Sequence, residues 1–344
     1  MTESWPRVSV VMTVINEERH LRHAIDRLLH QDYPGELDIV IAVGPSKDKT
    51  PQVARAIAQA NGHVHVVDNP SGRTPSGLNA AIAFGHSDIV VRIDGHAMVP
   101  PDYVRTGVLT LQATGADNVG GIMAAEGTTH FEHSVARAMT SKFGVGGASF
   151  HVGGEPGPAL TVYLGCFQRA ALERVGGYDE SMQRAQDWEM NLRLRQTGGI
   201  VWFTPDMRVT YRPRPTVKAL ARQYHDYGRW RREVARRHPD TVSVRYLAAP
   251  VAVAGVGAGV VLAGVGAIAR QPWLMALGLA APAGYLVLDL AASAHSALSA
   301  PRLSWREAVR LPLVYATMHG AWGTGFLRGL PRREQQRAVP SASG

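Results

Sequence analysis

The chain of 344 residues carries 36 Lys/Arg against 28 Asp/Glu, a formal net charge of +8, and is 45% hydrophobic. That length and apolar share support one large or two modest domains and exclude a disordered or low-complexity protein. Cys166 is the only cysteine, which excludes a disulfide-stapled secreted domain and reads as a packed small side chain. Met1–Arg7 is short and polar and leads straight into a strand-like run at Val8, so the N-terminal part is expected in the cytoplasm.

In chain order, Val8–Val14 and Leu37–Val43 are Val-rich apolar runs of strand type, and His63–Val67 and Ile89–Ile93 are two shorter ones. Helical patterns lie between and after them: Glu17–Leu29, Pro51–Asn61 with its proline in the first turn, and Ser76–Phe84. Strands alternating with helices predict an α/β fold with a parallel sheet covered on both faces, whose ligands bind at the carboxyl ends of the strands. Those ends carry the polar groups: Asn16-Glu17-Glu18, then Gly44-Pro45-Ser46-Lys47-Asp48-Lys49-Thr50, then Asp94-Gly95-His96. An acid ending a buried strand, with a second hard ligand two positions later, suits a divalent metal on a diphosphate. Taken alone, Asp-x-His is weak evidence, and a turn-capping Asp is the more common explanation.

Beyond Tyr211 the character changes. Between Arg208 and Arg245 there are 11 Lys/Arg and 3 Asp/Glu, a local net of +8 equal to the surplus of the whole chain. Nucleic acid is one reading of such a cluster; the sequence after it favours a membrane and no nucleic acid. Leu247–Ala269 is 23 residues without a charge, long enough to cross a hydrocarbon core of ~30 Å, and Trp273–Ala294 is a second stretch broken only by Asp289. Arg270-Gln271-Pro272 joins them into a tight hairpin, for which a buried soluble hairpin is the alternative. The positive-inside rule then sets the basic segment on the cytoplasmic face, beside anionic headgroups. Leu311–Leu327 is a third apolar stretch, but it holds Pro312, His319 and three glycines between Arg-rich flanks. An interfacial or re-entrant segment is expected there, with a third span as the alternative.

The motifs together resemble those of family 2 glycosyltransferases with the GT-A fold, over roughly residues 8–230. Val10-Val11-Met12-Thr13-Val14-Ile15-Asn16-Glu17-Glu18 is similar to the family's opening strand and "YNEE" turn, Ser46-x-Asp48-x-Thr50 to its "SxDxT" turn, and Gly77-Leu78-Asn79 to its "ALN" element. Arg92-Ile93-Asp94-Gly95-His96 stands where the family has its DxD metal motif. Gly176-Gly177-Tyr178-Asp179-Glu180, followed by Gln186-Asp187-Trp188-Glu189 and Arg193, matches its acceptor-side block. Asp-x-His and Gln223-Tyr224-His225-Asp226-Tyr227-Gly228-Arg229-Trp230 look most like the membrane-associated succinoglycan or exopolysaccharide type.

This resemblance implies a Rossmann-like, mostly parallel GT-A sheet over residues 1–215 and a basic interfacial segment over 216–246. A transmembrane hairpin would follow over 247–294, the interfacial or re-entrant helix over 295–330, and a disordered tail over 331–344. It implies a multi-pass plasma-membrane protein with a cytoplasmic catalytic domain. The reaction implied is inverting transfer of a sugar from a nucleotide-diphosphate donor, UDP favoured, to a lipid-linked or polysaccharide acceptor. Glu17, Asp48, Arg73, Asn79 and Asp94 would bind the donor; Asp94 and His96 would hold Mg²⁺ or Mn²⁺, with the imidazole favouring Mn²⁺. Asp187 would be the general base. Gln223, Arg229 and Trp230 would serve the acceptor or diphosphate side.

Several positions depart from the family pattern. Val43 and Gly44 stand where acids usually read the base, so UDP and GDP both stay open. Gln186 replaces the acid before Asp187, a change expected to make the base weaker. Gln223 and Arg229-Trp230 are separated by five residues, unlike the compact QxxRW of processive synthases. A noncatalytic sugar-nucleotide- or lipid-binding membrane protein with a degenerate GT-A fold is a second reading, opposed by the joint retention of Asp48, Asp94, His96 and Asp187. A nucleotidyltransferase is a third, opposed by the acidic turn after the first strand, where a basic Gly-rich loop is needed.

Overall fold

In the computed structural model, which describes residues 5–331, the Val-rich runs form β1 (Val8–Val14) and β2 (Leu37–Val43), followed by β3 (Val64–Asp68) and β4 (Ile89–Arg92). Helices α1 (Leu21–Leu29), α2 (Thr50–Ala60) and α3 (Thr74–Phe84) are the crossovers, and α4 (Tyr103–Thr114) leads out of β4. Next come β5 (Asn118–Ala125), α5 (His130–Met139), α6 (Lys142–Val145), α7 (Ser149–Val152), β6 (Gly157–Pro158) and β7 (Tyr163–Gln168). They are followed by α8 (Arg169–Arg174), α9 (Gln186–Gln196) and β8 (Val201–Tyr211). Five helices complete the chain: α10 (Val217–Arg237), α11 (Val244–Ile268), α12 (Pro272–Leu298), α13 (Trp305–Ala308) and α14 (Leu311–Arg328). The tail expected to be disordered lies outside the described residues except for its first position, and so do the basic residues Arg332, Arg333 and Arg337.

The eight strands form one sheet in the order β3-β2-β1-β4-β7-β5-β8-β6. Its first four strands are parallel, β1 pairing β2 from Val8↔Leu37 to Val14↔Val43 and β4 from Val8↔Ile89, so their carboxyl ends gather at one edge. β7 then runs antiparallel to both β4 and β5. Alternation along β1 sends Val8, Val10, Met12 and Val14 into a core with α1, α2 and α4, while Val11 joins Leu78, Ala81 and Ile82 of α3 and Met190 and Leu194 of α9 on the other face. Burial on both faces is why these strands read as continuous apolar runs.

One helix starts later than its sequence pattern predicts. Asn16 adopts φ +55°, and the backbone N–H groups of Glu17 and Glu18 donate to Thr50 Oγ1 (2.7 Å) and Asp48 Oδ2 (3.1 Å) in the turn after β2. The N–H groups of His20 and Leu21 close turns on the Glu17 carbonyl (3.0 and 2.9 Å), and α1 begins at Leu21.

The chain divides into two compact units, residues 5–124 with 148–211, and residues 125–147 with 212–331. The expected division near residue 215 therefore omits a piece. The segment 125–147 belongs with the C-terminal helices through long-range hydrogen bonds that no local pattern announces. Ser134 Oγ donates to the Glu307 carbonyl (2.9 Å), Arg137 Nη1 to the Ser296 carbonyl (3.1 Å), and His319 Nε2 lies 2.9 Å from the Phe143 carbonyl.

Within the second unit, small residues let helices touch. A side chain at Gly228 of α10 would collide with the Trp322 carbonyl of α14, and one at Gly278 of α12 with the backbone of Ala263 in α11. Among the described residues, α11 and α12 are the two helices long and apolar enough to cross a membrane, and only 11% of the most apolar window of each is buried. Val261 is 68% and Leu288 70% exposed, which is apolar surface turned outward rather than the inside of a soluble hairpin. By contrast α14 buries Leu311, Val314, Tyr315 and Met318.

Candidate active site

The turns after β1 and β2 are stitched to each other. Asn16 Oδ1 accepts from Lys47 N (2.8 Å), and Glu18 Oε2 accepts from Lys49 N (3.1 Å). Asp48 Oδ1 accepts from both the N–H (3.0 Å) and the hydroxyl (2.6 Å) of Thr50. The Thr50 hydroxyl bond, helped by backbone amides, holds the Asp48 carboxyl below its usual range. Asp48 thus shapes the turn after β2 through its own hydrogen bonds. Arg73 closes the turn before α3, its carbonyl accepting from Asn69 Nδ2 (3.0 Å) and Gly77 N (3.0 Å).

At the end of β4, Arg92 gathers the chemistry. Its Nη2 donates to Asp94 Oδ1 (3.1 Å), its Nη1 bonds Asp187 Oδ1, and its guanidinium carbon lies 5.9 Å from the centre of the Tyr178 ring. The side chain of Arg92 is 5% exposed, those of Asp94 and Asp187 29% and 26%. Desolvation opposes charge on Arg92, but Asp187 and Asp94 outweigh it and keep the guanidinium cationic. Desolvation also dominates at Asp187. It raises the carboxyl pKa, Arg92 pulls back, and Asp94 pushes further up, so the net direction is upward. The balance leaves the partly buried Asp187 carboxyl a stronger base than a solvated aspartate.

His96 Nδ1 lies 3.0 Å from Glu17 Oε1. If this is an N–H donated to the carboxylate, the ring lone pair sits at Nε2, the arrangement in which an acid orients a metal-binding imidazole. Glu17, expected on the donor side, is thereby also joined to His96. Among the described residues no group of three or more His, Cys, Asp or Glu is arranged to hold a metal ion. The Asp94 and His96 donors fit a divalent ion that takes its remaining ligands from phosphate oxygens, as Mg²⁺ commonly does.

Asn79 is fully engaged inside the protein. Its Nδ2 donates to the Tyr178 carbonyl (2.9 Å) and Glu180 Oε1 (3.1 Å), and its Oδ1 accepts from Tyr178 N (2.8 Å). It braces the Gly-Gly-Tyr-Asp-Glu block, with Ser76 Oγ taking the second Glu180 oxygen (2.8 Å). Gln223, Arg229 and Trp230 lie on α10 in the other unit. Gln223 Nε2 donates to Tyr227 Oη (2.9 Å), Arg229 Nε donates to the Gly329 carbonyl (3.2 Å), and Trp230 is 7% exposed. Arg92 and Tyr178 are site residues that the sequence reading quoted without giving them a role. The available signal was an arginine closing an otherwise apolar strand, immediately before Ile93-Asp94.

Comparison with known proteins gives the same assignment from outside. The sequence model for Glycosyl transferase family 2 matches residues 9–174. The succinoglycan biosynthesis protein ExoA of Rhizobium meliloti (strain 1021) is 34% identical over 312 residues, covering 87% of this chain and 94% of that protein. A glucuronosyltransferase of Methanococcus voltae, whose name describes action on a dolichyl N-acetylglucosaminyl phosphate, is 25% identical over 64% of this chain and 71% of that protein. Among solved structures, the mannosyltransferase PcManGT from Pyrobaculum calidifontis, in complex with GDP-Man and Mn²⁺, superposes with a TM-score of 0.61 at 21% identity. That likeness covers 94% of this chain and 88% of PcManGT, and it shows the shared GT-A fold. The chain belongs to glycosyltransferase family 2 and is a glycosyltransferase.

Proposed function

We propose that the protein is a membrane-anchored inverting glycosyltransferase that moves a sugar from a nucleotide-diphosphate donor to a lipid-linked or polysaccharide-precursor acceptor. The observation that carries this reading is the convergence of Asp94 and Asp187 on one buried arginine, with His96 following two positions after Asp94. Glu17, Asp48, Arg73 and Asp94 make the donor side, and Asn79 contributes by fixing the Tyr178–Glu180 backbone. A divalent metal bound by Asp94 and His96 would neutralise charge on the departing diphosphate. Asp187 takes the proton of the acceptor hydroxyl as that oxygen attacks the anomeric carbon from the face opposite the leaving group. Gln223 and Arg229 are the candidate acceptor-side contacts on α10, and Trp230 supports that helix from within.

The names of the relatives support the acceptor class: one is a succinoglycan biosynthesis protein, another acts on a dolichyl-linked sugar phosphate. The test is transfer from radiolabelled UDP- and GDP-sugars by the full chain in vesicles carrying lipid-linked saccharides. Incorporation into the lipid fraction, with release of the nucleoside diphosphate, is expected. Nucleotide binding without incorporation from any donor would refute the reading.

For the membrane part we propose two spans, α11 and α12, with the basic 216–246 segment on the cytoplasmic interface and 295–330 interfacial or re-entrant. An introduced cysteine at Gln271, in the hairpin tip, should react with an impermeant maleimide on intact cells, and one at Ser341 only after permeabilisation. Outside labelling at Ser341 would sink this topology.

A further inference from the structure

We infer that Arg92 is a positioning residue for transfer, a planar fork that fixes Asp94 and Asp187 relative to each other and selects which oxygen of each acid faces the reactants. The inference rests on the assignment of Asp187 as base and Asp94 as metal ligand. Arg92 is 4% exposed, and a buried charge persists only where partners compensate it. Both carboxylate partners are site acids, each engaged through Oδ1. Among the described residues no hydrogen bond reaches the Oδ2 of either acid. Asp94 thus presents Oδ2 as its metal-facing atom, and Asp187 presents Oδ2 as the atom that receives the acceptor proton. Two acids held on one rigid guanidinium keep a set separation, which a pair of freely rotating carboxylates would not.

The geometry explains why the residue is arginine. A guanidinium offers donors in a fixed plane and can bind two carboxylates at once, whereas an ammonium is a single point charge on a flexible stem. If Arg92 only balanced charge, lysine would serve. If it positions, lysine keeps the charge and loses the alignment.

The test uses the full chain in lipid and compares wild type, Arg92→Lys, Asp187→Asn and the double variant. Arg92→Lys is expected to melt within a few degrees of wild type and to bind the nucleoside diphosphate product within about fivefold. Its kcat should fall at least about thirtyfold while KM for the nucleotide sugar moves little. Because Arg92 acts partly through Asp187, adding Arg92→Lys to Asp187→Asn should cost less than about tenfold, against at least about thirtyfold in wild type, the remainder being its hold on Asp94. A kcat for Arg92→Lys within threefold of wild type, or an equal loss in both backgrounds, overturns the inference while leaving Asp187 as base. Full transfer by Asp187→Asn overturns the base assignment and this inference with it. Should Arg92→Lys fail to fold, the neutral pair Arg92→Gln/Asp187→Asn replaces it. Transfer by that pair within about tenfold of Asp187→Asn supports the inference, and a larger further loss overturns it.

Discussion

Replacing Asp187 with asparagine should lower transfer by ~10²-fold or more while nucleotide-sugar affinity stays within a few-fold, the usual scale for losing a general base. An amide keeps the size of the side chain and can still meet Arg92, but it has no lone pair basic enough to take the acceptor proton. Asp187 opens α9, in the block that follows Gly176-Gly177-Tyr178, and is separate from the β1 and β2 turns assigned to the donor. Burial raises its proton affinity, which suits an acceptor of protons and would be a liability in a residue whose task was only to hold a cation. Isothermal titration with the nucleotide product and a turnover assay on the same preparation separate the two roles. Parallel collapse of affinity and turnover would move Asp187 to the donor site.

Asp94→Ala should abolish transfer, and His96→Ala should weaken it and shift the preference from Mn²⁺ toward Mg²⁺. The carboxylate is the only anionic ligand of the proposed pair, so its loss removes the attraction that draws a divalent ion to the end of β4. The imidazole supplies the nitrogen that favours a transition metal, and its removal leaves an all-oxygen environment. Activity against metal identity for wild type and both variants, with excess chelator as the zero point, reads both effects. Wild-type transfer that survives excess chelator would remove the metal from the mechanism.

Much of the fold was legible because the signals were local. β1 and β2 run from Val8 to Val14 and from Leu37 to Val43, as their apolar runs predict, since a strand buried on both faces has a sharp composition boundary. The start of α1 was not legible, because the turn before it, with Asn16 at φ +55° and Glu17 and Glu18 bonded to a turn some thirty positions later, depends on partners outside the local pattern. The same holds for 125–147, whose place among the C-terminal helices depends on partners such as Ser296 and Glu307. In the site, Asp94, His96 and Asp187 stood out as motif residues. The bracing by Asn79 and the pairing of Glu17 with His96 did not, because each depends on two side chains meeting across separate loops. Arg92 lay hidden for a further reason: one of the two acids beside it, Asp187, is 95 positions away in sequence.

The single thiol has a consequence for how the enzyme stands in the cell. Cys166 lies in β7 with no exposed surface, and burial pushes its pKa up, so the reactive thiolate is both scarce and shielded. Oxidation, glutathionylation and alkylation all begin at an accessible thiolate. With no other cysteine in the chain, thiol oxidation has no accessible point of entry here. Peroxide doses that silence thiol-dependent enzymes are expected to leave transfer running, because the groups proposed for its metal and proton steps are acids and an imidazole.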